Sequence, residues 1–148
     1  MTPPTMPARL RELLLDFEPL PRTERMEMLI DWADQFVEVD PAVATRPFPE
    51  LNRAPRCESD AYVFATDRAD GTVDFHFAVE NPQGLSAKAW GAILADTASG
   101  VPLEEVAAID PEAIYQIFGR DLSMGKGQGL IAMLELVQFE TRKRLKAR

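Results

Sequence analysis

The 148-residue chain carries one cysteine, Cys57, and one histidine, His76. A lone thiol has no partner for an internal disulfide, cannot build a multi-cysteine metal site and has no resolving thiol in the chain. By itself it can still attack another sulfur, accept it and hold it as a persulfide. The other reading is a small buried hydrophobe, because free cysteine is among the most buried residue types. Its setting is Asn52-Arg53-Ala54-Pro55-Arg56-Cys57-Glu58-Ser59, where a proline-rich approach runs into the apolar stretch Ala61-Tyr62-Val63-Phe64. An inert core cysteine belongs more naturally inside an apolar run than among these charges. Cations near a thiol promote the thiolate and carboxylates oppose it. Arg53 and Arg56 stand against Glu58 and Asp60, so local sequence leaves the reactivity of Cys57 open.

A cysteine hydrolase in this chain would have to pair Cys57 with His76. His76 alternates with Phe75 and Phe77, so it reads as a strand histidine on the more polar face, turned away from those two. A zinc site would have to draw its remaining ligands from carboxylates, an unusual donor set for that ion. Lys126 lies in Ser123-Met124-Gly125-Lys126-Gly127-Gln128-Gly129-Leu130. A glycine-rich stretch opening a helix suits an anion, since free backbone N–H groups point outward there. A Walker A loop would need a Gly-Lys-Ser/Thr ending and a preceding strand, and both are missing. The sober reading is a helix start with a useful cation. Trp32, Trp90, Met26, Met28, Met124 and Met133 fall at helical spacings, as core or partner-facing surface.

The elements that must position these groups follow from apolar period and from Pro and Gly. Residues 1–7 read as a loose arm. Leu10, Leu13, Leu14 and Phe17 predict a helix over 8–17, broken by Pro19 and Pro21. A second helix is expected from an N-cap at Thr23 to about Phe36, with Met26, Leu29, Ile30, Ala33 and Phe36 as its apolar stripe. Residues 40–55 hold Pro41, Pro47, Pro49 and Pro55, a long irregular stretch of the kind that is functional or mobile. Strands are expected over 61–65 and 73–79, joined by Asp67-Arg68-Ala69-Asp70-Gly71 as a hairpin turn. Helices follow over 86–98 and 103–108, then from Asp110-Pro111-Glu112 to Phe118, and from Lys126 to Arg144. Helices, a small antiparallel sheet and more helices make an α+β domain spanning residues 8–148.

Composition narrows the partners. Hydrophobic residues make up 46% and charged residues 27%, as in a globular domain rather than a disordered chain. A net charge of −8 disfavours counterion-release binding to nucleic acid. The one basic run, Arg142 to Arg148, reads as a helix end and a solvated tail. No apolar stretch approaches the roughly 18–20 residues that cross a bilayer. The N-terminus lacks the pattern of a signal peptide, and with a single cysteine the expected compartment is the cytosol.

In their order along the chain, four segments resemble the SufE family, the cysteine-desulfuration proteins of iron–sulfur cluster assembly. The family's Asn-Arg-Val-x-Gly-Cys-Gln-Ser appears as Asn52 to Ser59, with Cys57 in the cysteine position. Its Asn-Gly-x-Thr-Pro-Glu-Glu-Ile is echoed by Ser99 to Val106, and its Leu-Ser-Pro-Ser-Arg-x-Asn-Gly-Leu-x-Ala-Met by Leu122 to Met133. Arg25 to Ala33 looks like its Arg-x-x-x-Leu-Ile segment. The likeness covers roughly residues 8–142. Arg56 stands for the family's glycine, Glu58 for a glutamine and Lys126 for an arginine, and Asn81 to Gly84 lacks the usual Ser-Asp-Ala.

The resemblance implies a SufE/IscU-like fold, a small antiparallel sheet packed against several helices, with Cys57 on a loop at one end. It implies that Cys57 takes persulfide sulfur from a cysteine desulfurase (SufS-like), stimulates it, and passes the sulfur to an iron–sulfur scaffold complex. Arg53, Arg56, Glu58, Ser59 and Lys126 would then form the persulfide environment or contact the partner. The pyridoxal phosphate belongs to the desulfurase, so the chain is expected to need no cofactor and no metal. A carrier of this kind is an accessory protein rather than a stand-alone enzyme, as monomer or homodimer. An adaptor that binds the desulfurase without using its thiol, or a Cys57/His76 hydrolase, are the other expectations.

Overall fold

A computed structural model describes residues 3–148; residues 1 and 2 of the expected arm lie outside the described residues. Six helices and a two-stranded sheet are described: α1 (Ala8–Phe17), α2 (Arg22–Asp34), β1 (Ala61–Asp67), β2 (Val73–Val79), α3 (Leu85–Ala98), α4 (Leu103–Ala107), α5 (Glu112–Phe118) and α6 (Met124–Lys146). A 3₁₀ turn, Glu50–Asn52, precedes the Cys57 loop. The fold is α+β, as the element order implies.

Helix α3 forms the centre. It is apolar almost all round, as a buried helix is, and Trp90, Ile93 and Leu94 have no accessible surface. It packs against α2, β2, α1 and α6. Trp90 Nε1 donates to the Leu130 carbonyl (3.1 Å), which ties α3 to α6 and satisfies the one polar atom of a fully buried indole. The buried Gln138 amide does the same for the far half of α6, donating to the Ile109 carbonyl (2.7 Å).

The hairpin is antiparallel, with Val63 opposite Phe77 and Ala65 opposite Phe75 on the core face. Tyr62, Phe64, His76 and Ala78 take the other face, because side chains alternate along a strand. A two-stranded hairpin is marginal alone. Here each edge gains a short neighbour: Glu38 bridges beside Phe77, and Arg53 beside Tyr62. The proline-rich stretch is therefore a cover for the outer face. It lays Phe48 on Tyr62 and Phe64 (ring centroids 5.1 and 5.4 Å) and builds a second small core with Val39 and Ala78.

Two local expectations are corrected. Helix α2 starts at Arg22 with Pro21 at the N-cap, so Thr23 lies inside the first turn and caps nothing. Its expected stripe holds in part: Leu29 is buried and Ala33 and Phe36 pack on the core, but Met26 and Ile30 are 46% and 41% exposed, and Met28 and Trp32 pack on the core in their place. The chain turns into α2 between Pro19 and Pro21, and that turn sets which face meets α3.

Two arginines of the basic C-terminal run reach the hairpin turn, while Arg142 and Lys146 are exposed on the helix end. Arg144 Nε donates to Asp67 (2.6 Å), and Arg148 Nη2 donates to the Gly71 carbonyl (2.6 Å). Among the described residues no helix is long and apolar enough to cross a membrane.

Candidate functional site

Cys57 sits between two consecutive turns in the loop linking the 3₁₀ turn to β1. The loop closes at its neck with Ala54 N–H donating to the Ala61 carbonyl (2.8 Å). At its exit Glu80 N–H donates to the Asp60 carbonyl and Asn81 N–H to the Ser59 carbonyl, both at 3.2 Å. Two residues beside the cysteine carry positive φ, Arg56 (61°) and Asp60 (50°). Left-handed backbone at these two points turns the Cys57 side chain inward. The thiol is only 6% exposed and belongs to the main apolar core.

Helix α6 closes over it. A Cβ at Gly129 would lie 3.1 Å from Cys57 Cα and 3.4 Å from its sulfur, so only glycine admits this approach without a shift. Gly84 plays the same part on the other side, where a Cβ would meet Val79 at 2.9 Å and Ser59 at 3.0 Å. Between these walls lies a cavity of about 130 Å³, bordered by Cys57, Glu58, Ser59, Met26, Gly84 and Lys126 among others. That is room for a few atoms beside the sulfur, not for a metabolite. A second groove, about 470 Å³, shares Met26, Ser86 and Lys126 with it and is flanked by Arg22, Arg25 and Arg120.

Of the residues singled out in the sequence, Cys57, Glu58, Ser59 and Lys126 border this cavity. Glu58 reaches the start of α6, its Oε1 3.2 Å from where a Gly125 Cβ would stand, and a carboxylate is favoured at that positive helix end. Ser123 caps α6 by accepting from Lys126 N–H (3.3 Å). The Lys126 ammonium is exposed and in no ion pair among the described residues, and the same holds for the Arg56 guanidinium. Arg53 is not at the cavity. Its Nε and Nη2 donate to Asp60 Oδ1 (3.1 and 2.6 Å), and this pairing holds the guanidinium pKa above its ordinary value.

Cys57 and His76 are not brought together. Cys57 belongs to the core under the hairpin, whereas His76 is on the opposite face with Nε2 2.8 Å from Thr66 Oγ1. No group of three or more His, Cys, Asp or Glu is placed to hold a metal among the described residues.

Sequence reasoning missed three contributors. Met26, expected in the core-facing stripe of α2, borders the cavity from an exposed position. Gly129 had a legible signal, since a glycine inside a helix costs about 1 kcal/mol against alanine and asks for a reason. Arg25 donates to the carbonyls of Gln116 (2.7 Å), Ile117 (2.8 Å) and Leu20 (3.3 Å), which caps α5 and anchors α2 beside the groove.

The fold and site make this a helix-rich α+β domain that holds one thiol on a loop beneath a helix. Residues 11–141 match the SufE family, described as an Fe-S metabolism associated domain, and the chain belongs to that family. Its assignment is thus to iron–sulfur metabolism. Among solved structures it is similar to a hypothetical protein from Thermus thermophilus, determined in solution. That likeness has 26% identity and a TM-score of 0.75, and covers 96% of this chain and 99% of the other. No curated protein matches the chain.

Proposed function

We propose that this protein is a sulfur acceptor that takes persulfide sulfur from a pyridoxal-phosphate-dependent cysteine desulfurase onto Cys57. The observation that carries the reading is the placement of the lone thiol: Cys57 borders a cavity of about 130 Å³ in a SufE-family domain. The Cys57 thiolate attacks the outer sulfur of the partner's persulfide. The partner's S–S bond breaks, its cysteine leaves as thiolate with the electron pair, and Cys57 is left as a persulfide. The reverse geometry, with Cys57 persulfide as donor, delivers the sulfur to an iron–sulfur scaffold. The chemistry at Cys57 uses no cofactor of this chain, because the C–S bond of the substrate is broken on the partner.

The inward thiol must turn out to meet a persulfide on another protein, then turn back. Walls of Gly84, Gly129 and Met26 then keep water and stray thiols from the outer sulfur. Lys126 and Arg56, exposed cations beside the cavity and on the loop, favour a sulfur that carries negative charge and a partner surface with acidic groups. A thiol that cycles between free and persulfide forms needs a reducing compartment, which argues for the cytosol.

The experiment is intact-mass analysis of the protein after incubation with a cysteine desulfurase and free cysteine. A gain of one sulfur atom is expected, absent without the desulfurase and absent in Cys57→Ser. Desulfurase turnover should rise with the wild-type protein and not with Cys57→Ser. Equal stimulation by both, with no mass gain, would make the protein an adaptor and overturn sulfur acceptance.

A further inference from the structure

We infer that Asp60 is a positioning residue for Cys57, and that its ion pair with Arg53 is a clasp that keeps the thiol turned into its cavity. The inference rests on the reading of Cys57 as the sulfur-accepting thiol, and it identifies what holds that thiol inward between transfers.

Beyond the packing of Cys57 against α6 and the carbonyl bonds at its exit, the loop tip has few polar ties. Among the described residues no hydrogen bond joins Pro55, Arg56 or Glu58 to anything outside the loop. Arg53 stands at the base of the neck, opposite Tyr62, and reaches across to Asp60 at the loop's exit. Two of its nitrogens converge on one carboxylate oxygen, a geometry that a lysine at 53 could not reproduce. Asp60 N–H in turn donates to the Cys57 carbonyl (3.2 Å), so Asp60 touches both the clasp and the cysteine. Both side chains stay partly in water, 34% and 47% exposed, so the pair is weak enough to open and sensitive to screening.

A substitution isolates the charge. Asp60 has φ 50°, and asparagine tolerates that left-handed backbone at least as well as aspartate. Asp60→Asn therefore removes the ion pair while keeping the turn and the side-chain size.

The test follows alkylation of Cys57 by iodoacetamide, a neutral reagent, at a pH high enough to ionise the thiol fully, so that the rate reports access to the sulfur rather than its ionisation. In the wild-type protein the rate should rise with ionic strength as the pair is screened. Asp60→Asn should react roughly twofold to fivefold faster at low salt and lose the salt dependence. Asp60→Glu, which keeps the charge, should restore part of the protection. Melting curves on the same samples separate loop opening from unfolding. If Asp60→Asn does not fold, the wild-type salt series decides: a rising rate supports the clasp and a flat one overturns it. Equal rates in folded Asp60→Asn and wild type across the series also overturn it. Loss of sulfur acceptance is read separately by mass, so failure of the clasp and failure of the acceptor reading leave different records.

Discussion

Gly129 and Cys57 are in direct contact across the α6–loop boundary: a Cβ on the glycine would stand 3.1 Å from Cys57 Cα and 3.4 Å from its sulfur. The helix that closes the cavity and the loop that carries the thiol thus share one surface. Any change that thickens α6 there is transmitted to the cysteine.

Gly129→Ala sets two effects against each other. Alanine improves the helix by about 1 kcal/mol, while overpacking against a backbone atom costs typically about 1–3 kcal/mol. The expected result is a net loss of about 1 kcal/mol in urea unfolding. Cys57 alkylation should be faster than in wild type, because the loop is what yields.

Arg56 occupies left-handed backbone at φ 61°, where a side chain costs about 1–2 kcal/mol. Arg56→Gly removes that cost but adds unfolded-state entropy. A net stabilisation of roughly 0.5–1 kcal/mol is expected, seen as a higher urea midpoint with an unchanged slope. A lower midpoint would mean that the guanidinium has a structural role.

Arg25 serves three carbonyls, at Leu20, Gln116 and Ile117, from a half-buried position. Arg25→Ala leaves the Gln116 and Ile117 oxygens at the end of α5, and the Leu20 oxygen before α2, without a charged donor. Hydrogen bonds to charged groups contribute about 1.5–3 kcal/mol, so a loss of about 2 kcal/mol is expected. Hydrogen exchange should rise most at the α5–α6 junction.

Glu38 and Arg46 fasten the segment that covers β2. Arg46 donates to both Glu38 oxygens (2.8 and 2.6 Å), which holds the carboxyl pKa below its ordinary 4.5 against the opposing effect of burial. A depressed folded pKa gives stability that is present above the unfolded value and lost as pH falls through the folded one. The melting temperature of wild type should therefore exceed that of Glu38→Gln at about pH 7. The gap should close as the pH drops below about 4. A gap that persists in acid would assign it to packing of the side chain rather than its charge.

Much of the frame was legible because it rests on local pattern. The helix over 8–17 and the strand over 73–79 fall where their apolar spacing places them, and the Asp-Gly turn has Gly71 at φ 89°. The α2 face was not legible, because Met26 and Ile30 keep helical spacing yet face outward. Spacing reports that residues share a face, and only packing decides which face meets the core. The proline-rich stretch was open between mobile and functional, and its role as a cover depended on the outer Tyr62–Phe64 face of a hairpin too small to bury that face by itself.

At the site the same division holds. Residue identity and order suffice to say that there is one thiol, that no second thiol supports it, and that the motifs around it are those of a SufE-family chain. Three-dimensional packing sets the rest: Cys57 faces inward, Lys126 and Glu58 border its cavity from α6 and the loop, His76 lies on the opposite face of the hairpin, and Arg53 pairs with Asp60 instead of lining the cavity. It could not be otherwise, because the local charges, Arg53 and Arg56 against Glu58 and Asp60, are balanced in sequence. Which of them meets the sulfur and which meets another charge depends on the two left-handed turns and on the approach of a helix some seventy residues away.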